Sequence, residues 1–259
     1  MNRKDVPCIC IQNLTVAYDD RVIVRDLNFN INRGDIFVIM GMSGCGKSTV
    51  MRSMIGLLPP KSGRIIIDGI DMWAANDATR NDIVSNFGVS YQSGALFSSM
   101  TVWENVALPL QLKTNMNASA INKRVREKLS MVGLDNSDDL YPSEISGGMI
   151  KRVAIARAMV MNPRVLFFDE PSAGLDPVRS AGLDKIILDI NHKTGTTIVM
   201  VTHDLSSIMN IATNSVYIDI DTQSVGAYGA PRDILKTTKN GEIKRFLSQN
   251  YGGKNETTK

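Results

Sequence analysis

The feature that most constrains this chain is a glycine-rich loop, residues 41–49, which lies between an apolar run and a helical pattern. The run before it, Ile36–Met40, is apolar at every position, which predicts a strand buried on both faces, as in a parallel sheet. Behind the loop, the pattern predicts a helix over residues 48–58 that ends at Pro59 and Pro60. A buried strand, a glycine-rich turn and a helix in this order predict an α/β fold.

The loop matches the phosphate-binding pattern G-x-x-x-x-G-K-[ST]. Glycines let backbone N–H groups turn inward as an anion nest, and the helix behind adds the positive end of its dipole. We expect Lys47 to reach the β- and γ-phosphates and the Ser48 hydroxyl to hold Mg²⁺. A chance glycine turn with an exposed lysine is the alternative, and the strand–loop–helix context disfavours it. The predicted phosphate-binding residues are Gly41, Met42, Ser43, Gly44, Cys45, Gly46, Lys47, Ser48 and Thr49.

Two carboxylates follow a second apolar run, residues 165–168. A buried strand that ends in acids presents them at the carboxyl edge of a sheet, where ligand sites of α/β proteins lie. Asp169 is then placed to support Mg²⁺, and Glu170 is the candidate general base, or at least the group that orients the attacking water. Two solvated acids at a strand end would be the simpler interpretation of the pair alone. Beside the phosphate loop, the pair predicts nucleotide hydrolysis.

A second potential phosphate site is the sequence Ser146-Gly147-Gly148, which precedes a helical run at residues 151–161. A serine and two glycines at a helix start are typical of an anion-binding N-terminus. One nucleotide needs only one phosphate loop. The second site, about 100 residues further along the chain, therefore predicts a composite site between two facing copies.

The rest of the pattern predicts an α/β chain with a helical insertion. Leu27, Phe29 and Ile31 alternate with polar residues, as in a half-buried strand. The pattern is helical from about residue 93 to 161, a helix begins behind Asp176, and Thr197–Val201 is a further buried strand. We expect one domain over residues 8–247, with the helical part at about 93–161, and a polar tail at 248–259.

Composition excludes several other classes of protein. A formal net charge of +3 in 259 residues does not suggest a nucleic-acid binder. Cys8, Cys10 and Cys45 form no even framework, which favours a reduced, cytosolic chain without a thiol metal site. We expect no secretory signal, and the apolar runs are shorter than the roughly 20 residues of a membrane span. A membrane process would therefore require a partner.

Together, these motifs resemble those of the ATP-binding subunits of ABC transporters, over roughly residues 8–247. The Ser146-Gly147-Gly148 sequence resembles the family's signature motif, and residues 172–176 resemble its D-loop. The resemblance implies that Tyr18 stacks on adenine, that Gln92 couples Mg²⁺ to a membrane subunit, and that His203 contacts the γ-phosphate.

The resemblance also implies a fold and a complete site. The fold is a P-loop NTPase (RecA-like) α/β core with an N-terminal antiparallel β subdomain and an inserted α-helical subdomain. The substrate is ATP, with Mg²⁺ as cofactor. The implied nucleotide contacts outside the loop are Tyr18, Ser146, Gly147, Gly148, Asp169 and Asp176. The implied catalytic residues are Gln92, Glu170 and His203, and the implied Mg²⁺ ligands are Ser48, Gln92 and Asp169.

One position departs from the family's pattern. The signature motif usually ends in glutamine, and here it ends in Met149, which cannot make the same hydrogen bonds. Ser146 and the two glycines are intact, so we expect hydrolysis.

Residues 91–97 and 101–106, together with Met149 and residues 173–177, resemble the ATPases of Mla/Mce-type phospholipid transporters. That resemblance implies a second copy of the chain, an MlaE-like permease, an Mce-domain lipid-binding protein and, in some members, a STAS-domain regulator, but no nucleic acid. It implies a peripheral location on the cytoplasmic face of the bacterial inner membrane. The alternatives are an importer ATPase for small polar solutes, a soluble ABC protein acting on DNA or ribosomes, and a nucleotide-binding scaffold without turnover.

Overall fold

The computed structural model describes residues 7–248, so the predicted polar tail lies outside the described residues from 249 onwards. The chain divides into two compact units. The first contains residues 7–81 and 199–248, and the second contains residues 82–198.

The strands are, in chain order, β1 (Ile9–Tyr18), β2 (Arg21–Ile31), β3 (Ile36–Met40), β4 (Ser62–Ile67), β5 (Ile70–Asp71), β6 (Phe87–Ser90), β7 (Val165–Asp169), β8 (Thr197–Val201), β9 (Asn214–Ile218) and β10 (Val225–Gly229). The helices are α1 (Lys47–Met54), α2 (Asp77–Ser85), α3 (Val102–Lys113), α4 (Ala118–Met131), α5 (Gly147–Met159), α6 (Pro177–Thr194), α7 (Leu205–Ile211), α8 (Pro231–Thr237) and α9 (Gly241–Ser248), with a 3₁₀ helix at Pro142–Glu144.

In the first unit, β1 lies between β2 and β4 in an antiparallel sheet that β5 extends. The register pairs Ile9 with Ile31 of β2 and with Ile67 of β4. Leu27, Phe29 and Ile31 are buried, as their period-two spacing predicts. This sheet is the N-terminal antiparallel β subdomain expected from the sequence.

The second strand group of the first unit is built on β3. All five of its positions are buried, which confirms the prediction of a strand covered on both faces. It pairs in parallel with β9, and β10 lies antiparallel to β9. The glycine-rich loop leaves the carboxyl end of β3 and runs into α1.

The predicted end of the first helix, at residue 58, is wrong. α1 ends at Met54 because Gly56 adopts a left-handed conformation with φ 84°. The Gly56 N–H donates to the Ser53 carbonyl at 3.4 Å, and the Leu57 N–H donates to the Arg52 carbonyl at 2.9 Å. This pair of bonds is a Schellman motif, which satisfies the last carbonyls and ends the helix before the prolines.

The second unit contains β6, β7 and most of the long helices. β6 and β7 are parallel, with Phe87 opposite Val165 and Ser90 opposite Phe168. The predicted strand at residues 165–168 is therefore confirmed as part of β7. α3 is capped by Thr101, whose side chain forms a reciprocal capping box with Glu104.

The C-terminal part of this unit follows the sequence pattern closely. The helix predicted behind Asp176 is α6, and it ends at Gly195 with φ 66°. β8 follows with all five positions buried, and the boundary between the units lies within it. Across residues 7–248, none of the helices combines the length and the apolar character that a membrane span requires.

A close backbone approach in the second unit gives a stability prediction. A Cβ at Gly88 would lie 2.1 Å from the Ala158 carbonyl oxygen, and neither backbone can move aside cheaply. We expect Gly88→Ala to lower the free energy of unfolding by about 2 kcal/mol or more, because overpacking forces β6 away from α5. Urea unfolding of the full chain measures this.

The matched control for this prediction is Gly182→Ala on α6. A Cβ there meets only a flexible arginine atom at 3.8 Å, so we expect the change to stabilise the helix slightly. Equal unfolding free energies for Gly88→Ala and the wild type would contradict the packing of α5 on β6.

Candidate functional site

The glycine-rich loop takes its shape from positions that only glycine fits. Gly41, Gly44 and Gly46 have φ values of 149°, 83° and 100°, a region that side chains disfavour. A Cβ at Gly41 would lie 2.5 Å from the Ile218 carbonyl oxygen, and one at Gly46 would lie 2.7 Å from Val24. The loop backbone therefore lies close to its neighbours at Gly41 and Gly46, and its positive φ values suit the turns from which a backbone anion nest is built.

Lys47 is the first residue of α1, and its ammonium is held by the loop itself. Its Nζ donates to the carbonyl oxygens of Gly41 and Met42, both at 2.9 Å, and only 8% of the residue is exposed. Ser48 and Thr49 follow in the first turn and are half-buried. The loop thus combines a positive charge, hydroxyl groups and a helix N-terminus, a combination suited to binding phosphates.

Cys45 faces the inside of the loop. It is 3% exposed, and burial raises the pKa of its thiol, although the nearby charge of Lys47 acts in the opposite direction. The thiol is therefore protonated at neutral pH, and it acts as a small packing group.

Tyr18 lies at the end of β1 in the same unit. The residue is 41% exposed, and its hydroxyl accepts a hydrogen bond from Arg52 of α1 at 3.2 Å. The bond ties an exposed aromatic ring to the helix behind the loop. This placement fits the predicted stacking on adenine, which remains a prediction.

His203 is exposed in the loop between β8 and α7. The residues on either side of it are anchored. The Thr202 hydroxyl accepts from the Asp204 N–H at 3.0 Å, and the Asp204 carboxylate caps α7 through the N–H groups of Ser206 and Ser207. These bonds hold the backbone around His203, and its contact with the γ-phosphate remains a prediction.

In the second unit, three predicted site residues lie at or just beyond the carboxyl ends of two neighbouring strands. Gln92 follows β6, and Asp169 and Glu170 stand at the end of β7. Because the two strands are parallel, the segments beyond them emerge on the same side. Glu170 has φ 48°, a left-handed conformation that costs a non-glycine residue about 1–3 kcal/mol and that is enriched at functional sites.

The helix start at Ser146 has the predicted capped geometry. The Ser146 side chain accepts from the Met149 N–H at 3.4 Å, and Gly147 and Gly148 form the first turn of α5. Ser146, Gly148 and Met149 line a cleft of about 120 Å³ together with Leu175 of the D-loop. The signature-like and D-loop-like segments therefore meet within one unit.

Asp176, the last D-loop residue, caps α6. Its carboxylate accepts from the N–H groups of Val178 and Arg179 at 3.1 and 3.0 Å. The bond from the Arg179 N–H is the main cause that lowers the pKa of Asp176. The capping role is thus clear, and a nucleotide contact by Asp176 remains a prediction.

Sequence reasoning missed Lys151 and Arg157 of α5. Lys151 donates to the Gln92 carbonyl, and Arg157 donates to the carbonyls of Gly94 and Ala95. Burial lowers the pKa of Lys151, and the negative charge of Glu170 opposes that shift. Nothing in the motif patterns signals a contact with backbone carbonyls so far away in sequence.

The first unit thus holds the loop at residues 41–49, Tyr18 and His203, and the second holds Gln92, the acidic pair, the signature-like helix start and Asp176. The predicted Mg²⁺ ligands offer a hydroxyl, an amide and a carboxylate, which are the oxygen donors that Mg²⁺ prefers. The donor chemistry therefore fits the ion.

Comparison with known proteins starts from the family model for ABC transporters, which matches residues 24–173. The chain is 39% identical over 238 residues to the "Probable ribonucleotide transport ATP-binding protein mkl" of Mycobacterium tuberculosis, covering 92% of this chain and 66% of that protein. The intermembrane phospholipid transport system ATP-binding protein MlaF of Haemophilus influenzae is 37% identical over 88% of this chain and 85% of its own length. The methionine import ATP-binding protein MetN of Desulfitobacterium hafniense is 35% identical over 93% of this chain and 71% of its own length.

Two solved structures extend the comparison. CbiO1 of Clostridium perfringens, part of the ABC transporter complex cbiONQ, has a TM-score of 0.82 and 29% identity, covering 94% of this chain and 95% of its own. The ATP-binding cassette MJ0796, a dimer in a post-hydrolysis state bound to ADP and Pi, has a TM-score of 0.75 and 30% identity, covering 85% and 97%. With a family model matching more than half of its residues and relatives this similar, the chain belongs to the ABC transporter family and carries the family's ATP-binding domain.

Proposed function

We propose that this chain is an ATP-hydrolysing transport subunit, two copies of which close around ATP and drive a separate membrane permease. One observation carries the proposal: the chain has two different helix starts whose residues suit phosphate binding. The first is the loop at residues 41–49 with Lys47, and the second is the Ser146-capped start of α5. One nucleotide uses one such loop, so the second start serves the nucleotide bound to the other copy. The dimeric cassette with bound ADP and Pi supports this arrangement by analogy.

ATP binding begins at the loop. The backbone N–H groups and the Lys47 ammonium bind the β- and γ-phosphates, and the ammonium exchanges its two carbonyl partners for phosphate oxygens. The exposed ring of Tyr18 offers a face to the adenine. Ser146 and the glycines beside it contact the γ-phosphate from the opposite copy, where the dipole of α5 adds favourable charge.

Hydrolysis requires an oriented water molecule. Glu170 accepts its proton or orients it, from a position just beyond β7 where the backbone is left-handed. Ser48, Gln92 and Asp169 would hold Mg²⁺, which neutralises the developing phosphate charge. His203, exposed between two anchored residues, donates to the γ-phosphate. Product release then allows the dimer to reopen.

The cargo that we propose is phospholipid, moved between the bacterial inner and outer membranes. Support comes from the likeness to MlaF and from the signature-like motif that ends in Met149. The partners would be an MlaE-like permease and an Mce-domain protein, with a STAS-domain regulator as in some members of that family, and the chain would lie peripherally on the cytoplasmic face of the inner membrane. The likeness to MetN favours the second candidate, an importer of small polar solutes.

The hydrolysis mechanism predicts a specific phenotype for Glu170→Gln. The amide keeps the size of the side chain and removes its basicity. We expect ATP affinity close to that of the wild type, turnover lower by about 10²–10⁴-fold, and accumulation of an ATP-bound dimer. Light scattering with and without ATP, and phosphate release from the permease-bound complex, measure these effects. A monomeric, fully active Glu170→Gln variant would refute both the base and the composite site.

The cargo assignment predicts what the chain purifies with. We expect a tagged chain, isolated from gently solubilised membranes, to bring down a multi-span permease, an Mce-domain protein and phospholipid. Mass spectrometry of proteins and lipids identifies them. A solute-importer permease without lipid would favour the MetN-like alternative, and recovery of no membrane protein would contradict a transport role.

A further inference from the structure

The loop that carries Gln92, residues 91–97, packs along one face of α5. Ile150, Ala154 and Arg157 lie on that face at spacings of four and seven. Gly94 is buried against it with φ 77°, and a Cβ there would lie 2.8 Å from Ile150 and 3.7 Å from Ala154. The loop therefore sits directly on the helix that begins at the signature-like motif.

Basic side chains of α5 bind the backbone of this loop. The Arg157 guanidinium donates to the Gly94 carbonyl at 2.7 Å and to the Ala95 carbonyl at 2.8 Å. The Lys151 ammonium donates to the Gln92 carbonyl. Hydrogen bonds from charged donors are stronger than neutral ones. Because all the acceptors are backbone atoms, the contacts fix the path of the loop and leave the exposed Gln92 side chain available for other contacts.

The far end of the loop is held by α3. The side chain of Asn105, which is fully buried, accepts from the Phe97 N–H at 2.8 Å. It also donates to the carbonyls of Phe97 and Met100, both at 3.1 Å. Arg157 and Asn105 hold the middle and the end of the loop, and Lys151 holds its beginning at the Gln92 carbonyl.

Lys151 also lies within electrostatic range of Glu170, and it stands in the same helix as the Ser146 cap. We propose that Lys151 is a positioning residue for ATP hydrolysis, which fixes the Gln92 backbone relative to Glu170 and links movements of the loop at residues 91–97 to the signature helix. This inference rests on the proposed function, because it assigns Lys151 a role in that same reaction.

The proposal predicts separate effects on kcat and KM. Lys151→Met keeps the unbranched stem of the side chain and removes its charge and its donors, whereas Lys151→Arg keeps the charge and the donors. We expect Lys151→Met to lower kcat for ATP by about 10- to 100-fold, the loss expected for a charged hydrogen bond. KM for ATP stays unchanged because the loop at residues 41–49 and Tyr18 are intact. Lys151→Arg restores most of kcat.

The experiment compares the wild type, both Lys151 variants and Lys185→Met, in which an exposed lysine of α6 is changed as a control. Two measurements are made on the full chain bound to its permease: steady-state ATP hydrolysis, and hydrogen–deuterium exchange of residues 91–97. We expect faster exchange in this loop for Lys151→Met, a wild-type rate for Lys151→Arg, and wild-type melting temperatures throughout.

The outcomes separate the two claims. If the wild-type chain does not hydrolyse ATP, the proposed function is refuted. The exchange rates of residues 91–97 in the wild type and in Lys151→Met would still test the contact made by Lys151. The inference is overturned if Lys151→Met matches Lys185→Met in both kcat and loop exchange. It is also overturned if KM and melting temperature change together with kcat, or if Lys151→Arg restores nothing, since those results indicate general packing.

Discussion

The shape of the loop at residues 41–49 depends on direct contact between backbone atoms. Gly41 has no room for a side chain against the Ile218 carbonyl, and its own carbonyl holds the Lys47 ammonium. A Cβ at this position would push the loop away from β9 and remove the lysine's support. The same device recurs in the second unit, where Gly88 lies against Ala158. At both positions glycine is required mainly because the absence of a side chain lets two backbone segments approach closely.

The second unit is organised around α5. Its N-terminus is capped by Ser146, its face carries the loop at residues 91–97, and its later turns pack on β6. A helix is rigid over this length, so a displacement of the loop would reach the Ser146 end through the hydrogen-bonded backbone of α5. In the proposed mechanism, this route couples the permease-facing loop to the second phosphate site.

Much of the fold could be predicted from the sequence because buried strands and glycine loops leave strong local patterns. Ile36–Met40 and Thr197–Val201 are buried strands as predicted. The end of α1 was not predicted correctly, because a Schellman motif at Gly56 ends the helix before the chain reaches Pro59. The left-handed backbone of Glu170 could not be predicted, since glutamate has no preference for that conformation. The contact between Lys151 and Gln92 also leaves no signal, because any residue supplies the accepting carbonyl.

The composite site is the central claim, and mixing two inactive variants tests it most directly. Lys47→Ala removes the phosphate-binding charge, and Ser146→Arg fills the cleft at the start of α5. Each variant alone should fail to hydrolyse ATP. A mixed dimer pairs the intact loop of one copy with the intact helix start of the other, so the mixture should recover a clear fraction of wild-type turnover. A mixture of Lys47→Ala with the double variant is the control, since it has no intact site. A mixture of the two single variants that stays as inactive as that control would contradict the account.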